Sequence, residues 1–230
     1  GGCKVSIQTS FPVSMELFTS YREIATDQSK AGKVMRTILM RLGSEVYEQI
    51  CLAAASADED RGTAIYYVLH RAFGGGRCEK RVMEALDDPY VSRVAKLALC
   101  VKREYHHYFG FVRFREIGGR FLLAKIQPGN DILSLMALHF SNRFPNENWV
   151  IYDEKRQKAL CHEKGKECVM RKEGRIQVPV SAVGDMGEYE ELWQTFCDSI
   201  SIEARRNEKL QKQMLALHFR SNMPEFSVKG

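Results

Sequence analysis

The chain has 230 residues, 44% of them hydrophobic and 27% charged, and carries a formal net charge of +5. That length allows one large domain or two small ones with a sizeable core. No stretch reaches the roughly 20 apolar residues that a membrane-spanning helix needs and no charged-then-apolar leader opens the chain, so the sequence reads as cytoplasmic with no membrane partner.

In chain order, residues 1–25 alternate loosely (Val5, Ile7; Leu17, Tyr21) and predict short strands with a turn at Pro12. The opening Gly1-Gly2, without a methionine, is what a tag scar or a fragment would show. From Asp27 the period becomes helical through Val34, Ile38, Leu39 and Leu42 as far as Gly43, and a second helix continues through Val46, Ile50 and Leu52. A third runs from about Asp60 to Phe73 and stops at Gly74-Gly75-Gly76, where the absence of a following Lys-Ser/Thr excludes a phosphate-binding P-loop. Asp88-Pro89 is an N-cap and first-turn pair for a long helix striped by Val91, Val94, Ala95, Ala98, Val101, Tyr105 and Tyr108.

Gly118-Gly119 separates two β-rich runs, Phe111–Ile117 and Arg120–Ile126, and predicts a tight hairpin. A two-residue turn would set Arg113 opposite Ala124 and Arg115 opposite Leu122 on a central strand. Pro128-Gly129-Asn130 ends the second strand, and Asp131 is the expected cap of a helix through Leu133, Met136, Leu138 and Phe140. Three strands follow, Trp149–Asp153, Lys158–His162 and Glu167–Met170. The expected fold is α+β, a single domain over 1–230. A helical cluster (26–109) packs on a mainly antiparallel sheet with an inserted helix (110–171), followed by a linker (172–187) and a C-terminal helical arm (188–226).

Candidate chemistry gathers in two places. On the Asp88 helix, Arg103, Glu104 and His107 share a flank, and a carboxylate beside an imidazole is either a general acid–base pair or a helix-end ion pair. Arg113 and Arg115 need anionic company, which is either internal, from Glu104 or Asp153, or the phosphates of a nucleic acid, with Phe111, Tyr105 and Tyr108 as stacking surfaces. Near the C-terminus, Arg205, Lys209 and Lys212 fall on one helical face while Arg206 and Asn207 point elsewhere. The seven cysteines are scattered and form no C-x-x-C pair, so neither disulfides nor a metal site is expected; the nearest thing to a ligand set is Cys161, His162 and Cys168.

The segments Arg103–Arg115 (REYHHYFGFVRFR), His139–Pro145 (HFSNRFP), Trp149–Arg156 (WVIYDEKR) and Leu192–Gln211 (LWQTFCDSISIEARRNEKLQ) resemble the hallmark blocks of an uncharacterised bacterial family labelled "probable DNA metabolism protein". The resemblance runs from about residue 20 to Phe226. It implies a role beside a radical-SAM DNA repair or modification protein, and relatives fused to uracil-DNA glycosylase-like proteins. The shared motifs fall on Arg103, Glu104, His107, Gly110, Arg113, Arg115, His139, Arg143, Asp153, Arg205 and Asn207. Tyr105 stands where alanine is common, Ala216 and His218 where proline and arginine are usual, and the family's opening strand with an Asp-Gly turn is not recognisable.

Three functions follow as expectations. The first is a DNA-metabolism accessory that binds DNA or a nucleoprotein partner through Arg103, Arg113, Arg115, His139, Arg143, Arg205, Arg206, Asn207, Lys209 and Lys212. The second is a nucleic-acid-processing enzyme with Glu104 and His107 as acid and base, and the third a protein–protein adaptor without DNA affinity. No cofactor is expected in this chain: the iron–sulfur and adenosyl groups that the resemblance implies belong to the radical-SAM partner.

Overall fold

A computed structural model of the chain describes residues 5–9, 17–74, 81–117, 119, 121–172, 209, 213, 215, 217–220, 223 and 226. Backbone contacts divide the chain into two compact units, Gly1–Arg103 and Glu104–Gly230, with the boundary inside one long helix.

The first unit is helical: α1 Gln28–Leu42, α2 Ser44–Ala55, α3 Arg61–Gly74, a 3₁₀ turn at Val82–Glu84, and the first turns of α4, Pro89–Phe111. Asp27 caps α1 by accepting from the Lys30 N–H at 3.0 Å. Gly43, at a φ of 95°, ends α1 and starts α2 in a conformation that a side chain would strain. Asp88 caps α4 as expected, accepting from Tyr90 at 2.8 Å and Val91 at 3.2 Å, while Pro89 takes the first helical position.

The first unit's core joins Ile38 and Leu42 of α1, Val46 and Ile50 of α2, Val68 and Ala72 of α3, and Val91, Val94 and Leu97 of α4. The apolar stripe expected on α1 is narrower than its spacing suggests: Val34 is 52% exposed and Leu39 44%. Among the described residues of 1–25 there is no strand. Instead the Val5 N–H donates to the Tyr67 hydroxyl and the Ile7 N–H to Thr63 Oγ1, so side chains of α3 satisfy this backbone. The approach is close enough that a Cβ on Gly62 would lie 2.9 Å from Ile7 Cγ2.

Among the described residues of the second unit, five strands, β1 Arg115–Ile117, β2 Phe121–Ile126, β3 Trp149–Asp153, β4 Lys158–His162 and β5 Val169–Lys172, form one sheet in the order β1-β2-β3-β4-β5. The helix α5, Leu133–Arg143, connects β2 to β3 and makes that pair parallel, whereas the others are antiparallel. The α+β class and the inserted helix are as the sequence implies. A short helix, α6, covers Leu217–Arg220, while the expected linker and most of the C-terminal arm lie outside the described residues.

Several local expectations are corrected. Helix α4 continues through Phe111 and β1 begins only at Arg115, so Arg113 precedes the strand, and among the described strands β1 lies at the sheet edge rather than its centre. The hairpin pairs Arg115 with Leu123 and Ile117 with Phe121, one residue away from the expected register. The Ile117–Phe121 pair leaves three residues, 118–120, for the connection rather than two, and Gly119 takes the left-handed region at φ 63°, where glycine is favoured. Ile132 precedes α5 without any side-chain cap, and Asp131 pairs instead with Lys158 of β4.

Register assigns the side chains to two faces. Trp149, Ile151, Leu160 and His162 are buried on the face that α5 covers, where the Phe140 and Trp149 rings meet edge to face at 6.2 Å. Phe114 and Phe144 join them. His162 stacks on Trp149 and its Nδ1 donates to the Glu147 carbonyl at 2.9 Å. Burying such a ring cluster is worth several kcal/mol at roughly 25 cal/mol per Å².

Candidate nucleic-acid interface

In the second unit, a network of side-chain hydrogen bonds holds the loop 127–131 at the C-terminal end of β2. Glu104, at the start of this unit's share of α4, accepts from the Gly129 N–H at 2.6 Å, the Asn130 N–H at 3.0 Å and Asn130 Nδ2 at 2.6 Å. Arg156, in the turn after β3, donates to the carbonyls of Pro128 (3.0 Å) and Gly129 and to Asp153 Oδ2 (3.1 Å). Asp153 is fully buried, and its other oxygen accepts from the N–H groups of Lys155 and Arg156.

Each charge in this network therefore meets donors or acceptors of opposite sign, the condition under which burying it is tolerable. Tyr108 lies close by, and its phenol is pushed above the ordinary tyrosine range by burial and then by the Glu104 carboxylate. His107 has other company. Its exposed ring meets Phe111 and Phe219, both at 5.9 Å, so Glu104 and His107 share a helix flank but not a set of partners.

The sheet face turned away from α5 has a different composition. By register it carries Arg115 and Ile117 from β1, Phe121, Leu123 and Lys125 from β2, Val150 and Tyr152 from β3, Ala159 and Cys161 from β4, and Val169 and Arg171 from β5. No carboxylate belongs to these strand positions. Arg115, Lys125 and Arg171 are exposed around a buried centre of Ile117, Leu123 and Ala159, with Phe121 and Tyr152 half-buried between them. Lys125 and Arg171 end one row across four strands, about 14 Å apart at the usual inter-strand spacing. The Lys125 ammonium lies 3.7 Å from Glu154, just beyond the end of β3, and the Tyr152 hydroxyl donates to Gln157.

A second basic and aromatic surface forms where the end of α4 meets α5. The Phe109 and His139 rings stack at 3.9 Å and 11°, with His106 and Tyr105 edge-on to Phe109. Burial lowers the His139 pKa, and the nearby charges of Arg143 and His106 lower it further, so the ring is neutral near pH 7. Its Nε2 is sheltered and has no hydrogen-bond partner among the described residues.

The remaining expected residues are dispersed. Arg113 donates to the Gly110 carbonyl at 2.8 Å and so closes the last turn of α4. Arg103 is exposed on α4 at the end of the first unit, Lys209 is exposed, and Arg205, Arg206, Asn207 and Lys212 lie outside the described residues. Cys161 faces away from α5 whereas His162 and Cys168 face it, Cys168 with its thiol against the Ala137 carbonyl, so the three do not converge. Among the described residues no group of three or more His, Cys, Asp or Glu is placed to hold a metal ion, and no helix is long and apolar enough to cross a membrane.

Sequence reasoning missed Lys125, Tyr152 and Arg171 as members of the Arg115 face, because only cross-strand register brings them together. The signal that was present is the alternation within each strand, which puts these residues at odd or even positions but leaves the partner strands open.

Among family models, one described as a domain of unknown function, DUF4130, matches residues 59–225. No curated protein and no solved structure matches the chain.

Proposed function

The chain belongs to the DUF4130 family, and from that premise we propose that it is a DNA-metabolism accessory that binds nucleic acid through the sheet face opposite α5, working with a radical-SAM DNA repair or modification enzyme. The observation that carries the binding reading is the composition of that face: Arg115, Lys125 and Arg171 exposed, Phe121 and Tyr152 between them, and no carboxylate among its strand positions. Guanidinium and ammonium groups spread over a sheet meet successive phosphates, and half-buried rings offer faces on which unpaired bases stack. The family resemblance supports the partner, through the radical-SAM association and the fused uracil-DNA glycosylase-like relatives that it implies. Glu104 holds the loop beside the sheet, so its part in this reading is to fix the end of β2 rather than to move a proton.

The test is titration of the protein with labelled single- and double-stranded DNA, with and without uracil, at two salt concentrations. Binding weakens as salt rises, and the triple variant Arg115→Ala, Lys125→Ala, Arg171→Ala loses affinity and flattens the salt slope by about 0.7 per single-strand phosphate contact removed. An unchanged slope and affinity in that variant would sink the proposal.

A further inference from the structure

Among the described residues, α4 and α5 themselves bring little negative charge to the contact between the end of α4 and α5. Over its whole length, PYVSRVAKLALCVKREYHHYFGF, α4 has a single carboxylate, Glu104, and that carboxylate is turned to Gly129 and Asn130. The α5 sequence, LSLMALHFSNR, has none. Yet His106 and Arg143 are exposed, His106 edge-on to the Phe109 ring that stacks on His139 and Arg143 one helical turn after His139, and both act electrostatically on His139. Neither helix supplies a counter-charge to this cluster. Cys168, which approaches α5 from the lead into β5, presents a thiol that burial keeps protonated.

We propose that His106, His139 and Arg143 form a binding site for a phosphate monoester, a site separate from the sheet face. The Arg143 guanidinium meets the phosphate oxygens as a charge-assisted donor, and a ring N–H of the exposed His106 donates beside it. The Phe109–His139 stack forms the floor, and the half-buried Tyr105 at its edge gives a nucleobase an aromatic neighbour. His139 acts through charge. Unliganded, the ring is kept neutral first by burial and then by the nearby Arg143 and His106, with the Phe109 ring stacked on it and Phe140 edge-on. A dianion beside Arg143 and His106 reverses the local field, so occupancy favours the imidazolium and binding takes up a proton. By linkage, affinity then rises as pH falls from neutrality towards 6, by up to about tenfold per pH unit for one proton.

The source of the phosphate is either a free nucleotide or the 5′ end of a strand. The experiment follows the His139 ring protons by NMR, assigned with His139→Gln, during addition of inorganic phosphate, dTMP, and a short oligonucleotide with and without a 5′ phosphate. Sulfate, which stays a dianion throughout, separates the protonation of the protein from that of the ligand. The expected result is a shift of His139 towards the protonated signal with phosphate, sulfate and dTMP, lost in Arg143→Gln and kept in the Arg115/Lys125/Arg171 triple alanine variant. Response to the phosphorylated oligonucleotide as well identifies strand ends as ligands; response to dTMP without it identifies free nucleotides. No shift with any of these anions at tens of millimolar, a shift that survives Arg143→Gln, or an equal shift with the unphosphorylated oligonucleotide overturns the proposal. Because the triple variant leaves this cluster intact, failure of the sheet-face reading and failure of this one are read separately.

Discussion

Glu104 shows how a side chain selected for its chemistry takes its role from backbone far along the chain. Its carboxylate accepts two main-chain N–H groups and one amide of a loop 25 and 26 residues away. Helical spacing places it on one flank with His107, and that much is legible in the sequence. The loop is not, because nothing in Pro128-Gly129-Asn130 announces which anion its N–H groups will meet. The same contact explains Gly129: a Cβ there would lie 3.2 Å from Glu104 Oε1. Glu104→Gln puts an amide N–H₂ where one acceptor oxygen stood, leaving loop donors without a partner. Hydrogen bonds to charged groups are worth about 1.5–3 kcal/mol each, and a loss of that order is expected in urea unfolding. A variant as stable as the parent would mean that the loop finds other acceptors.

At the scale of elements, those with caps and full periods in the sequence are the ones it locates well. Helix α4 is the clearest case, since Asp88, Pro89 and a stripe from Val91 to Tyr108 all agree, and Val91, Val94, Val101 and Tyr108 are buried. Strands β3 and β4 likewise fall where alternation puts them. The hairpin register is off by one because loop length, not strand pattern, decides it, and Gly118-Gly119 reads equally well as a two-residue turn or as part of a three-residue one. Asp131 has the residue type of a cap but binds Lys158 instead.

For the cap that does form, Asp88→Ala costs about 1 kcal/mol, with a further loss from the Arg71 pair at 2.9 Å. Burial pushes the Asp88 carboxyl up, yet the Val91 and Tyr90 N–H groups and the Arg71 guanidinium together hold it below the ordinary carboxylate range. A depressed folded-state pKa means stability that is full above the unfolded value and lost as pH falls through the folded one. Thermal melts of the parent and Asp88→Ala therefore differ near neutrality and converge in strong acid. A gap that stays constant to low pH would show that the cap does not act through its charge.

For the whole molecule, the family match begins at residue 59, after α1 and α2, although both helices contribute to the first unit's core. Ile38 and Leu42 of α1 are each 4% exposed and pack with Val46, Ile50, Val68 and Val94. Composition and periodicity identify α1 as a helix, but they overstate its buried face, since its spacing also enrols Val34 and Leu39, which remain exposed. What decides between them is the position of the neighbouring helices, a property that no window of α1 contains. The energetic consequence is direct. Leu42→Ala removes a buried side chain and leaves a cavity, at a cost of about 2–5 kcal/mol, whereas Met40→Ala, 83% exposed two residues away, changes stability by about 0.5 kcal/mol at most. Urea unfolding followed by far-ultraviolet circular dichroism, which reads the helices of this unit, checks both. Similar small losses in the two variants would mean that α1 lies outside the cooperative core despite its burial, and a large loss for Leu42→Ala alone makes this helix part of the folded unit that the family match only partly covers.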